Sequence, residues 1–226
     1  MISKVKIFGE RCSGTNYLEN LILENFKVEY ICNNNIFGQK HFFGFHSLEH
    51  SDDTLFICII RHYHSFLNSL WRDKWHISQI QRRTKEYFLY SPHWSYMDKK
   101  KYSLKDFGKE IMEDRHIYTK ERYKNILELR YIKLKWMKET LPKKVKNCII
   151  IRYEDLIDNF NETMNRLHKK GLPLLSPSSF PKNYYHYKKN PKKLFTHKKK
   201  NDIKKEEIEN HPFFQSSIEK ELGYFL

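Results

Sequence analysis

The sequence predicts an α/β protein in which a parallel β-sheet is flanked by helices, with a helical insertion. Two observations lead there. Short apolar strands alternate with stretches of helical periodicity. The longest apolar run is continuous rather than alternating, the mark of a strand buried on both faces of a parallel sheet. A chain of 226 residues, 39% hydrophobic and 15% aromatic, is long enough to bury a core. It is read as one domain over 1–226, since no repeat or clear linker divides it.

Taken in order, Val5 to Gly9 reads as a short strand entering a tight turn, and Glu10 to Asn16 holds the Gly, Ser, Thr and Asn that turns prefer. From Tyr17 to Phe26, Leu18, Leu21 and Ile22 recur on one helical face. Asp53 to Ile60 is the continuous apolar strand, followed by a helix from about Tyr63 to Trp71. Glu121 to Leu141 has helical periodicity through Ile126, Leu129, Leu134 and Met137 and is expected to stop at Pro142. Val145 to Ile151 is a third strand, with a helix from about Glu154 to Lys170 behind it. The aromatic and charged stretch 72–120 is the helical insertion. Residues 171–202, with most of the prolines and several Lys clusters, read as a long surface loop.

Composition excludes some classes. No apolar run reaches the roughly 18–20 residues of a membrane span. The start, MISKVKIFGE, turns polar too soon for a signal peptide. The four cysteines, Cys12, Cys32, Cys58 and Cys148, form no CxxC pair, which argues against a zinc site or disulfide framework and for a reduced, cytoplasmic setting. Lys plus Arg is 42 against 27 for Asp plus Glu, a formal charge of +15. That charge steers anions of any kind, including an acidic acceptor, but no RNA- or DNA-binding motif accompanies it.

Gly9-Glu10-Arg11-Cys12-Ser13-Gly14-Thr15-Asn16 has the GxxxxG outline of a phosphate-binding loop, which makes the expected sheet P-loop-like. Thr15 and Asn16 stand where the nucleoside-triphosphate version carries Lys and Ser/Thr. Without that lysine and that metal-binding hydroxyl, the loop suits one terminal phosphate held without a metal, and a P-loop nucleotide kinase becomes the alternative reading.

Two further features stand in register with the loop. The second strand ends in Arg61, with Ser69 eight residues on, and the third ends in Arg152-Tyr153-Glu154-Asp155-Leu156. With Ser13-Gly14-Thr15, these resemble the sulfotransferases that use 3′-phosphoadenosine 5′-phosphosulfate (PAPS), and the closer likeness is to small sulfotransferase-like proteins with a GERxSGTN loop. The resemblance spans roughly residues 5 to 170 and implies the following. The loop from Arg11 through Cys12, Ser13, Gly14, Thr15 and Asn16 binds the 5′-phosphosulfate. Arg61 and Ser69 bind the 3′-phosphate. Tyr17 and Tyr153 lie near the adenine. Cys12 departs from the pattern, because many members place Lys or Arg there to touch the leaving oxygen; the nearest cation is Arg11. A catalytically degenerate nucleotide- or nucleic-acid-binding protein is therefore a further alternative.

Sulfuryl transfer needs positioning, cations around the leaving group and a base for the acceptor hydroxyl or amine, and requires no metal. In the family a Lys-His element between the first helix and second strand supplies the base, which Lys40-His41 matches. His41 is preferred as the base; His46, in Phe-His-Ser-Leu, is its rival and Glu10 a third candidate. Glu154 and Asp155 are read as anchors of the following helix.

Overall fold

The computed structural model describes residues 2–74, 76–97, 106–175 and 201–224. They fall into two compact units, each gathered from three stretches: 1–41, 46–61 and 137–199 in the first, 42–45, 62–136 and 200–226 in the second. The long loop expected over 171–202 lies outside the described residues from 176 to 200.

The first unit is built on four parallel strands, β1 (Lys4–Phe8), β2 (Tyr30–Ile31), β3 (Thr54–Ile60) and β4 (Cys148–Arg152), in the order β2-β1-β3-β4. The expected α/β fold with a parallel sheet is thus observed. β3 is buried at every residue, as its unbroken apolar run implies. The registers pair Ile7 with Ile57 and Ile57 with Ile149. Val5, Ile7, Leu55, Ile57, Ile59 and Ile151 therefore share one face. Against it pack Leu18, Leu21 and Ile22 of α1 (Thr15–Asn25) and Met164 and Leu167 of α7 (Phe160–Lys169). Each such side chain contributes about 1.5–3 kcal/mol by leaving water.

β2 was not foreseen. It is two residues long and carries no apolar run; the β1 edge supplies the pairing, Lys4 with Tyr30 and Val5 with Ile31. The helix expected from Glu154 to Lys170 is two, α6 (Asp155–Asp158) and α7, because Asn159 leaves helical geometry at φ −128° and ψ 46°.

In the second unit α2 spans Tyr63–Arg72. The insertion carries α3 (Lys85–Tyr90) and 3₁₀ turns at Ile80–Arg82 and Met112–Asp114. Between them antiparallel bridges pair Ile77 with Ser95, Tyr96 with Glu110 and His93 with Tyr123. α4 (Ile126–Lys135) starts later than its periodicity suggested. Asn125 accepts from the backbone N–H of Leu127 (3.0 Å) and Glu128 (2.9 Å) and caps it there. The helical path also runs past Pro142, through a π-helical stretch, Trp136–Thr140, into α5 (Leu141–Lys144). Pro142 falls in the first turn of α5, where its missing N–H costs nothing. α8 (Lys205–Glu209) and α9 (Ser216–Glu221) close the chain. Glu219 of α9 takes a buried, two-point ion pair from Arg130 at 2.6 and 2.8 Å. Among the described residues no helix is long and apolar enough to cross a membrane.

Candidate functional site

The loop between β1 and α1 is shaped by two positive φ angles, Cys12 at 63° and Gly14 at 100°. Gly14 has to be glycine. A Cβ there would meet the Tyr153 ring at 2.5 Å and Ile59 at 3.3 Å, and its φ is one that L side chains rarely adopt. Ser13 turns back on Glu10, whose carbonyl accepts from the Ser13 backbone N–H (3.2 Å) and from its Oγ (2.6 Å). The loop then delivers the chain into α1 with Gly14 as its N-cap. No side chain caps that end, and its first turn holds no acidic residue. An uncapped helix N-terminus offers its backbone N–H groups to an anion.

Around this loop the first unit gathers several of the residues singled out from sequence. Arg61, at the end of β3, donates from Nη1 to the carbonyl of Cys12 at 3.0 Å, and its guanidinium lies 4.6 Å from the centre of the Tyr153 ring. Tyr153, just past β4, is buried and meets Tyr17 edge-on at 6.3 Å, so it braces Gly14, Tyr17 and Arg61 together. Burial pushes its phenol up to about 12, so it stays protonated. Arg11 and Glu10 are buried within the loop, while Cys12 is half-buried.

Lys40 and His41 are docked on the same loop. The backbone N–H of Gly9 donates to the Lys40 carbonyl at 3.0 Å. The Lys40 ammonium reaches α1, donating to Asn16 Oδ1 at 2.5 Å and Glu19 Oε2 at 3.0 Å. His41 is buried, and its Nδ1 lies 2.8 Å from the carbonyl of Gly9. A carbonyl only accepts, so Nδ1 carries a proton in this contact. The backbone N–H of His41 donates to Gln39 Oε1, which holds the turn before it. A cation thus stands at the start of α1 although the loop lacks the lysine of the triphosphate-binding version.

The other candidates lie differently. His46 is exposed, its ring against Gly38, where a Cβ would meet Nδ1 at 2.4 Å. Ser69 belongs to the second unit, half-buried on α2, its carbonyl accepting from Asp73. Asp155 takes a two-point contact from Arg152 (3.0 and 2.6 Å) and lies 3.8 Å from Arg166, tying the end of β4 to α7 as an anchor does. An open cavity of about 510 Å³ in the second unit is lined by Glu86, Glu206 and Glu207 with Tyr90, carboxylates that repel anions. Among the described residues no three His, Cys, Asp or Glu side chains gather to hold a metal ion.

Sequence reasoning missed two participants. Glu19 shares the Lys40 ammonium with Asn16; its place one turn into α1 was the available signal. Lys6, mid-strand in β1, is 1% exposed, and a charge inside a strand bound for a buried sheet is itself a signal. No protein-family model matches the chain, and no curated protein matches it.

Proposed function

We propose that the chain is a sulfotransferase that moves a sulfuryl group from PAPS to an acceptor hydroxyl or amine. The observation that carries this reading is the docking of Lys40 and His41 on the anion loop, through Gly9 and Asn16. It puts a cation at the start of α1 and a histidine ring against the Gly9 carbonyl, where the loop begins.

In the proposed reaction the N–H groups of Gly14, Thr15 and Asn16 hold the 5′-phosphate, and Lys40 offsets charge as it develops on the leaving oxygen. Arg61, tied to the loop through Cys12, suits the 3′-phosphate because its planar fork binds it bidentately. His41 Nε2 takes the acceptor's proton. The acceptor's oxygen or nitrogen bonds to sulfur while the bond from sulfur to the bridging phosphate oxygen breaks, and adenosine 3′,5′-bisphosphate leaves. The Cys12 departure is compatible with this, since Lys40 supplies a cation from another segment.

The test is ligand-induced stabilisation. Adenosine 3′,5′-bisphosphate is expected to raise the melting temperature, and AMP far less, because the added phosphate is what Arg61 reads. Equal shifts from the two nucleotides would overturn the assignment.

A further inference from the structure

We propose that Lys6 is a positioning residue for the Lys40–His41 pair, holding from beneath the segment that delivers it. This rests on the proposed reading, in which Lys40 is the cation and His41 the base. Lys6 lies on the sheet face opposite α1, and its ammonium donates to the carbonyls of Asn33 (2.8 Å), Ile36 (2.7 Å) and Gly38, with Cys32 farther off at 3.5 Å. The Phe8 ring lies 5.6 Å away. An ammonium has three protons, so the three short bonds use all of them.

Burying a charge costs several kcal/mol unless it is compensated, and an apolar side chain would fill a strand position without that cost. Here the compensation comes from backbone carbonyls of one segment, 32–38, so the charge organises that segment. β1 holds the segment at both ends as well: Cys32 N–H donates to Val5 O at 2.8 Å, and Gly9 N–H to Lys40 O at 3.0 Å. Between these anchors the path is narrow. Phe37 has a positive φ of 62° and packs on Phe56 with ring centres 5.2 Å apart. Gly38 has φ 86° with His46 against its α-carbon.

The contacts run on to the base. Lys6 fixes the Gly38 carbonyl, which sets the peptide leading into Gln39. Gln39 Oε1 then accepts from the His41 backbone, and the His41 ring reaches Gly9. Lys6 touches neither the loop nor a bound nucleotide in this scheme; it acts through the segment. The charged and titratable groups that act on it are Cys32 and Lys40.

The experiment replaces Lys6 with Met, which fills the strand without a donor, and with Gln, which keeps a shorter neutral donor. Nitrogen NMR of the His41 ring, on the full chain without any nucleotide, reads its tautomer. The wild type is expected as the Nδ1–H form. Both variants should fold and move His41 towards the Nε2–H form. Transfer should show kcat down about 10²-fold with little change in bisphosphate affinity, as a misplaced catalytic group does. An unchanged His41 tautomer in a folded variant overturns the proposal. If neither variant folds, Lys6 is a determinant of folding rather than of the pair's position, and the proposal falls too. Because the NMR readout needs no ligand, its outcome is separate from whether the bisphosphate binds.

Discussion

The guanidinium of Arg61 lies 4.6 Å from the centre of the Tyr153 ring and donates to the carbonyl of Cys12, joining the ends of β3 and β4 to the loop after β1. Arg61→Ala is therefore expected to weaken adenosine 3′,5′-bisphosphate binding tenfold or more, since a charge-assisted hydrogen bond is worth about 1.5–3 kcal/mol. AMP binding should change much less. Arg61→Lys should fall between, having the charge without the planar fork. Calorimetric titration of both nucleotides decides it; equal losses for the two would mean that Arg61 only props the loop.

His41→Ala is expected to lower turnover by about 10²–10⁴ while leaving bisphosphate affinity nearly unchanged. His46→Ala should do little, because His46 is exposed at the edge of the 32–38 segment. Activity should be lost in acid, where a protonated ring accepts nothing. If His46→Ala is the inactive variant instead, the base has been misassigned.

Gly14→Ala should destabilise the fold. Left-handed backbone costs an L residue about 1–2 kcal/mol, and forcing a methyl against Tyr153 adds roughly 1–3 kcal/mol. Thermal unfolding should show a fall on the order of 10 °C for a chain of this length. An unchanged melting temperature would mean that Tyr153 moves aside without cost.

Burial pulls the pKa of Lys6 from 10.5 down to about 8, with the Lys40 charge adding to the fall and Cys32 opposing it. Between those values the unfolded chain holds a proton that the folded chain has shed. Stability from this group therefore rises with pH from about 8 to 10.5, by up to about 1.4 kcal/mol per pH unit, and is level outside that window. Denaturant titrations of wild type and Lys6→Met at pH 7.5, 8.5 and 9.5 should show their difference shifting towards wild type as pH rises. A constant difference contradicts the depressed pKa.

Sulfuryl transfer should survive chelation. Asn16 stands where a metal-binding hydroxyl would be, and the cation at α1 is Lys40. Adding EDTA should leave the rate unchanged; a rate abolished by chelator and restored by magnesium, with ATP consumed, would favour the kinase reading.

The strands that bury their side chains were legible because their hydrophobic patterns carry the signal, in Val5 to Gly9, Asp53 to Ile60 and Val145 to Ile151; the last was begun three residues early, because Val145 caps α5 and β4 starts at Cys148. β2 was not, because Tyr30 and Ile31 are strand only by virtue of the β1 edge beside them. The limits of α4 and α7 were misjudged for local reasons, a cap at Asn125 and a break at Asn159, which periodicity does not register. At the site, Gly9 to Asn16 were named from residue type and spacing, whereas Lys40, His41 and Arg61 were named from the resemblance to a known family.

What the sequence determined by itself was the order of strands and helices and the chemistry available at their ends. Those follow from short-range patterns of apolar and turn-forming residues. Which groups meet was decided only by tertiary structure. Lys40 lies 24 residues after Asn16 and Arg61 lies 49 after Cys12, yet each pair makes a hydrogen bond. Lys6 reads as one more basic residue in a Lys-rich chain until the 32–38 carbonyls close around it. The physical reason is that a polar side chain's role depends on which partners the fold brings within about 3 Å, and hydrophobic periodicity fixes the elements without fixing those partners.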